Sequence, residues 1–111
     1  MYPIAEDLAV EIYKLTKAFP RDERFGLTSQ MRRAAVSIGS NISEGCGLVT
    51  DRAFIASVHR ALGESYELEF QRRVAARLEF GNPQELIACG ESIITVSKML
   101  TGLITSHRGL G

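Results

Sequence analysis

Apolar residues in this chain recur every three or four positions, and nowhere do apolar and polar residues alternate long enough to read as a strand. Four helices are predicted. The first runs from about 3 to 18, opened by Pro3 and ended by Phe19-Pro20, with Ile4, Leu8, Ile12, Leu15 and Phe19 on one stripe. The second spans about 28–44, capped by Thr28 or Ser29 and stopped at Gly45-Cys46-Gly47, with Met31, Ala35, Ile38 and Ile42 inward. Asp51 is placed to cap a third helix over 51–80, roughly 40 Å long at ~1.5 Å per residue. Gly81-Asn82-Pro83-Gln84-Glu85 combines a stop with a restart: Asn82 caps, Pro83 takes the first helical position, and Glu85 falls where a capping box places a carboxylate. The fourth helix then covers 83–106 and leaves a tail from His107 to Gly111. Short connections between such helices predict an all-α, antiparallel up-down-up-down four-helix bundle over residues 1–111.

With 111 residues the chain fits one domain and one core. The balance of 45% hydrophobic and 23% charged residues is that of a globular protein and argues against disorder. Glu91 and Lys98 interrupt the apolar run around Ser92–Val96 short of the ~20 residues a membrane span requires, so no membrane partner is expected. Glu6 and Asp7 stand where a signal peptide needs a basic start, and Cys46 and Cys89 have no metal-ligand spacing; together these predict reduced thiols in the cytoplasm. Thirteen basic residues balance thirteen acidic ones, which removes the broad positive surplus that non-specific phosphate binding needs. Only a folded patch can still be basic.

The fourth helix carries more apolar surface than one core consumes. Leu86, Ile87, Cys89, Ile93, Ile94, Val96, Met99, Leu100, Leu103 and Ile104 spread over roughly 240° of its circumference, against the ~100° stripe a surface helix buries. Val96, Met99 and Leu103 are therefore predicted to form a subunit interface, with the chain itself as partner. Tyr66 and Phe70 lie off the main stripe of the third helix and suit the same kind of burial.

Beside its apolar stripe the second helix carries a polar seam, Gln30, Arg33, Ser37, Asn41 and Glu44, stacked at three- and four-residue spacing. As a binding strip it would offer Arg32 and Arg33 to phosphate and Asn41 to a base or sugar edge; as a structural seam it would join helices or subunits. On the third helix Glu69 and Arg72 fall among core positions, where an unpaired ion costs several kcal/mol, so both need partners. A structural ion-pair network is predicted, with Glu69 and Arg72 pairing mutually and Arg32 or Arg33 reaching Glu67 or Glu69.

No catalytic group, cofactor or small-molecule substrate is expected. Neither His59 nor His107 has a Glu three residues before it, which excludes the di-iron pattern of four-helix bundles, and phosphate-loop, His-Glu-x-x-His and Cys-x-x-Cys motifs are missing, so no metal site is expected either.

The stretch Phe19-Pro20-Arg21-Asp22-Glu23-Arg24 through Met31-Arg32-Arg33-Ala34-Ala35-Val36-Ser37-Ile38, continuing Ser40-Asn41-Ile42-Ser43-Glu44-Gly45, resembles the bacterial four-helix-bundle family encoded by intervening sequences in 23S ribosomal RNA genes. Ala61-Leu62-Gly63 with Tyr66-Glu67-Leu68-Glu69 is similar to that family's third-helix signature, and Lys98-Met99-Leu100 with Leu103-Ile104 to its closing helix. Gly39 stands where members often carry Pro, and Glu64 where the signature is commonly Ser. The resemblance implies an up-down bundle assembling as a ring-shaped homopentamer, without catalytic residues. The chain is also similar to the accessory protein of diversity-generating retroelements, which implies nucleic acid as an alternative partner. The two functions expected are thus a self-assembling structural or adaptor module and, alternatively, a nucleic-acid-binding accessory factor.

Overall fold

Each predicted stripe closes onto its neighbours in the computed structural model, which describes residues 2–107. In chain order stand α1 (Pro3–Thr16), a short 3₁₀ turn (Arg21–Glu23), α2 (Leu27–Cys46), α3 (Asp51–Arg77) and α4 (Pro83–His107). Each helix packs beside its chain neighbours and α4 closes against α1, so the four axes occupy the corners of a square. The bundle measures 46 × 22 × 20 Å.

Inside the square, Leu8, Ile12 and Leu15 of α1 meet Met31, Ala35, Ile38 and Ile42 of α2, Val58, Ala61 and Leu68 of α3, and Leu86, Ile93, Val96, Leu100 and Ile104 of α4, all of them buried. At about 25 cal/mol per Å² of apolar surface removed from water, this core is the main term holding the helices together. α4 is by length and composition apolar enough to cross a membrane, a test that the core helix of a soluble protein also passes; here its buried side chains pack on the other three helices.

The helix ends depart from expectation in instructive ways. α1 stops at Thr16, two residues before the predicted end, where the Thr16 hydroxyl donates to the Ile12 carbonyl at 2.8 Å. α2 begins at Leu27, because the Glu23 carboxylate accepts from the Leu27 amide at 3.0 Å; Thr28 is buried and Ser29 turns back onto the Gly26 carbonyl, so neither caps. Thr50, one residue ahead of Asp51, caps α3: its hydroxyl accepts from the Ala53 amide at 3.1 Å. α3 ends at Arg77 instead of Phe80. Glu79 takes a left-handed φ of 58°, Phe80 N–H reaches the Ala75 carbonyl at 2.9 Å, and Glu79 N–H reaches Ala76 at 3.1 Å, the two bonds of a Schellman stop. Gly81 continues at φ 73°, and a β-carbon there would lie 2.9 Å from the Phe19 ring. Phe80 packs on that ring, centroids 5.7 Å apart. Asn82 caps α4 as predicted, accepting from the Glu85 amide at 3.1 Å. His107, expected in the tail, is the last helical residue and stacks on Phe54 at 5.0 Å; the remainder of that tail, 108–111, lies outside the described residues.

Candidate interaction surface

The polar seam of α2 is built into the bundle. Arg33 donates to Glu64 at 3.1 Å and to Glu67 at 2.8 Å, tying α2 to α3 through two carboxylates. Gln71 donates to Glu67 at 3.3 Å and is buried, its own carbonyl oxygen finding no hydrogen-bond partner among the described residues. About two turns further along α2, Asn41 donates to the Ser37 carbonyl and hydroxyl and accepts from Arg60 at 3.1 Å, while Arg60 also holds Ser57. Gln30 and Glu44 complete the predicted seam in sequence only: both are exposed and make no side-chain hydrogen bond among the described residues.

Two carboxylates under one guanidinium ionise unequally. Burial works to raise Glu64, but hydrogen bonds from Glu67 and Ser37, with the Arg33 charge, hold it below the usual carboxylate range. Glu67 moves the other way, chiefly because it shares its proton with Glu64.

Arg32 faces α1. Its Nε donates to the Thr16 hydroxyl at 2.8 Å, its Nη2 to the Tyr13 carbonyl at 3.4 Å, and its guanidinium lies 4.6 Å from the centre of the Tyr13 ring. The three residues expected to greet nucleic acid, Arg32, Arg33 and Asn41, therefore spend their polar groups within the chain, on two different flanks of α2.

Glu69 and Arg72 form a separate pair on the flank of α3 that faces α4. Arg72 donates to Glu69 twice, at 2.7 Å each, and to the Leu86 carbonyl at 3.3 Å; Arg73 adds a third bond to Glu69 at 3.0 Å. The Arg72 hydrogen bonds, opposed by partial burial, hold the Glu69 carboxyl below its ordinary range. The expected network is thus two networks: Arg33 reaches Glu67 and not Glu69. Glu64 and Gln71 were the members missed. Their signal was available in the i, i+3, i+7 stripe Glu64-Glu67-Gln71, which lines up against the seam of α2.

The predicted subunit contact needs one correction. Val96 is 0% exposed and belongs to the chain's own core, since its side of α4 points at the bundle centre. Met99 and Leu103 are half-buried and pack against the same core. The spare apolar surface of α4 lies instead at Ile87, 62% exposed, and Ile94, 50% exposed. On the adjoining α3, Tyr66 and Phe70 are 61% and 68% exposed. Tyr66 and Ile94 line a groove of about 380 Å³ between α3 and α4, with Arg73, Ser97, Lys98 and Thr101 along its edges. Ile87 lines a second opening of about 390 Å³ further down the same seam.

Chemistry is sparse elsewhere. Among the described residues no three His, Cys, Asp or Glu side chains stand together to hold a metal ion. Both cysteines are free, and burial pushes the Cys89 thiol up to about 12, which leaves it protonated at neutral pH.

A short antiparallel bundle with an unfilled apolar seam places this chain among all-α helical modules. The model of the 23S rRNA-intervening sequence protein family matches residues 1–102, and the chain belongs to that family. Among solved structures it is similar to a protein of unknown function from the S23 ribosomal protein family of Bacteroides thetaiotaomicron. That similarity is 25% in sequence over 92% of this chain and 95% of the other, with a TM-score of 0.82. A comparison with curated proteins finds no match.

Proposed function

We propose that this chain is a non-enzymatic, cytoplasmic structural or adaptor module that works by assembling with copies of itself through the outer face of α3 and α4. The observation that carries the reading is the set of Tyr66, Phe70, Ile87 and Ile94, four large apolar side chains each at least half exposed on two adjoining helices, Tyr66 and Ile94 sharing one groove, while the core beneath is complete. Scattered apolar residues are ordinary on a protein surface; four on two adjoining helices, three of them lining the seam between those helices, are a surface that another chain covers.

Gly63 supports the same face. It precedes Tyr66 by three residues and Phe70 by seven, so it shares their side of α3, and a β-carbon there would meet nothing within 4 Å. A mid-helix glycine costs about 1 kcal/mol relative to alanine, and no contact inside the chain offsets that cost. Close approach of a neighbouring backbone does. The family resemblance makes a closed ring of five the expected form.

Light scattering on the full chain tests the reading. A mass several times 12.2 kDa at micromolar concentration is expected, with Phe70→Asp giving a folded chain of lower mass. A single-chain mass for the unmodified protein overturns it.

A further inference from the structure

We infer that the Glu64–Glu67 pair is a proton-binding latch at the edge of the Tyr66/Phe70 face, so that proton uptake there strengthens association; the inference rests on the self-assembly reading above and specifies how that contact is regulated. The geometry carries it. Glu64 and Glu67 reach the two terminal nitrogens of a single Arg33 guanidinium, at 3.1 and 2.8 Å, which makes the two carboxylates immediate neighbours. With both ionised, the cluster sets two negative charges against one positive. With one proton added it is neutral.

No other charge among the described residues balances the pair. Glu64 is acted on by Glu67 and by Arg33 and Ser37 of α2, and Glu67 by Glu64 and Arg33. Arg60, one turn before Glu64, spends its guanidinium on Asn41 and Ser57. α1 stands across the diagonal of the bundle, and α4 packs on the other flank of α3, where Glu69, Arg72 and Arg73 are already paired. Gln71 closes the inner side of the pair. It is 4% exposed, its Nε2 donates to Glu67 at 3.3 Å, and its oxygen has no hydrogen-bond partner among the described residues. Turning that amide offers the oxygen to a protonated Glu67, so one side chain meets either state with a hydrogen bond. The opposite directions in which Glu64 and Glu67 move are those of two carboxyls holding one proton between them.

Glu67 is where proton and assembly meet. Its side chain is 41% exposed, one turn after Gly63 and three residues before Phe70, on the edge of the proposed contact. A neighbouring copy covering this edge takes water from the carboxylate, which an ionised group without a full counter-charge resists and the neutral form does not. Association therefore takes up protons and is favoured as pH falls.

Sedimentation of the full chain in dilution series between about pH 7.5 and about pH 5 tests the latch. The concentration at which chains associate is expected to fall with pH, by at most about tenfold per pH unit for each proton taken up. Glu67→Gln, with Glu64→Gln as a second version and circular dichroism to confirm the fold, makes the cluster neutral at every pH. Both variants should associate at pH 7.5 as the unmodified chain does near pH 5, and should lose most of the pH response. Glu91→Gln, in the α1/α4 groove away from the pair, should keep it. Where chains stay associated at every dilution, the rate of subunit exchange between two labelled pools replaces the midpoint. An unmodified chain that assembles equally at every pH, or a pH response unchanged in both Glu67→Gln and Glu64→Gln, overturns the latch while leaving self-assembly standing. A single-chain mass at every pH and concentration overturns both.

Discussion

Gly45 of α2 and Ser57 of α3 meet so closely that a β-carbon on Gly45 would lie 2.9 Å from the β-carbon of Ser57. The neighbour is the root of a buried side chain, which cannot swing away, and the Phe54 ring stands 3.3 Å off on another side. Gly45→Ala must therefore push α3 outward. A loss of about 1–3 kcal/mol is expected from overpacking at such a contact. Gly47→Ala, where the nearest atom is an ordinary 3.5 Å away, should change stability by less than about 0.5 kcal/mol. Urea denaturation of the two variants beside the unmodified chain checks the contrast.

Glu79 sits in the left-handed region that favours glycine, at the position where a Schellman stop usually has one. Its side chain is exposed and makes no described hydrogen bond, so nothing local offsets the backbone cost. Glu79→Gly should stabilise the chain by about 0.5–1 kcal/mol, seen as a higher melting temperature. An unchanged or lower value would mean that the α3 stop is not strained.

The Glu69 carboxylate is held below its ordinary range by Arg72, opposed by burial and assisted by Arg73. A depressed folded value means that the ionised form stabilises the native state above the unfolded value of about 4.3, and that this contribution fades as pH falls through the folded value. Glu69→Gln is expected to lose about 1.5–3 kcal/mol at pH 7, the range for hydrogen bonds to charged groups. The gap from the unmodified chain should narrow steadily below pH 4. A gap independent of pH would show that the loss is one of packing.

Gly63→Ala separates the stability of one copy from assembly. Helix propensity predicts a gain of about 0.8–1 kcal/mol for the single chain, while a β-carbon on the proposed contact face would interfere with a neighbour. The variant should melt higher as a dilute single chain and assemble less readily. Assembly unaffected by the substitution would remove Gly63 from the interface.

Helix existence was legible because stripes such as Leu8-Ile12-Leu15 and Met31-Ala35-Ile38-Ile42 follow the helical period directly. Helix ends were less so. Thr50 and Asp51 are adjacent and both suit a cap, and the α2 start depends on the Glu23 side chain reaching forward from a 3₁₀ turn. The spare apolar surface was half legible: excess apolar surface on α4 is a property of its circumference, but periodicity alone does not say which part turns inward. Val96 did, because α1, α2 and α3 together set the bundle axis, and Ile87 and Ile94 were left outside. Arg33 found Glu64 as well as the expected Glu67 because the registry of α2 on α3 is fixed by the whole interface, a long-range fact that local spacing does not contain.

Radical footprinting of Tyr66 and Phe70, followed by mass spectrometry across a dilution series, measures coverage of the α3/α4 face side chain by side chain. Both rings should be protected where the chains are associated and should become labelled together as dilution separates them, while the exposed Phe25 is labelled throughout. Equal labelling of Tyr66, Phe70 and Phe25 at every concentration would contradict the account.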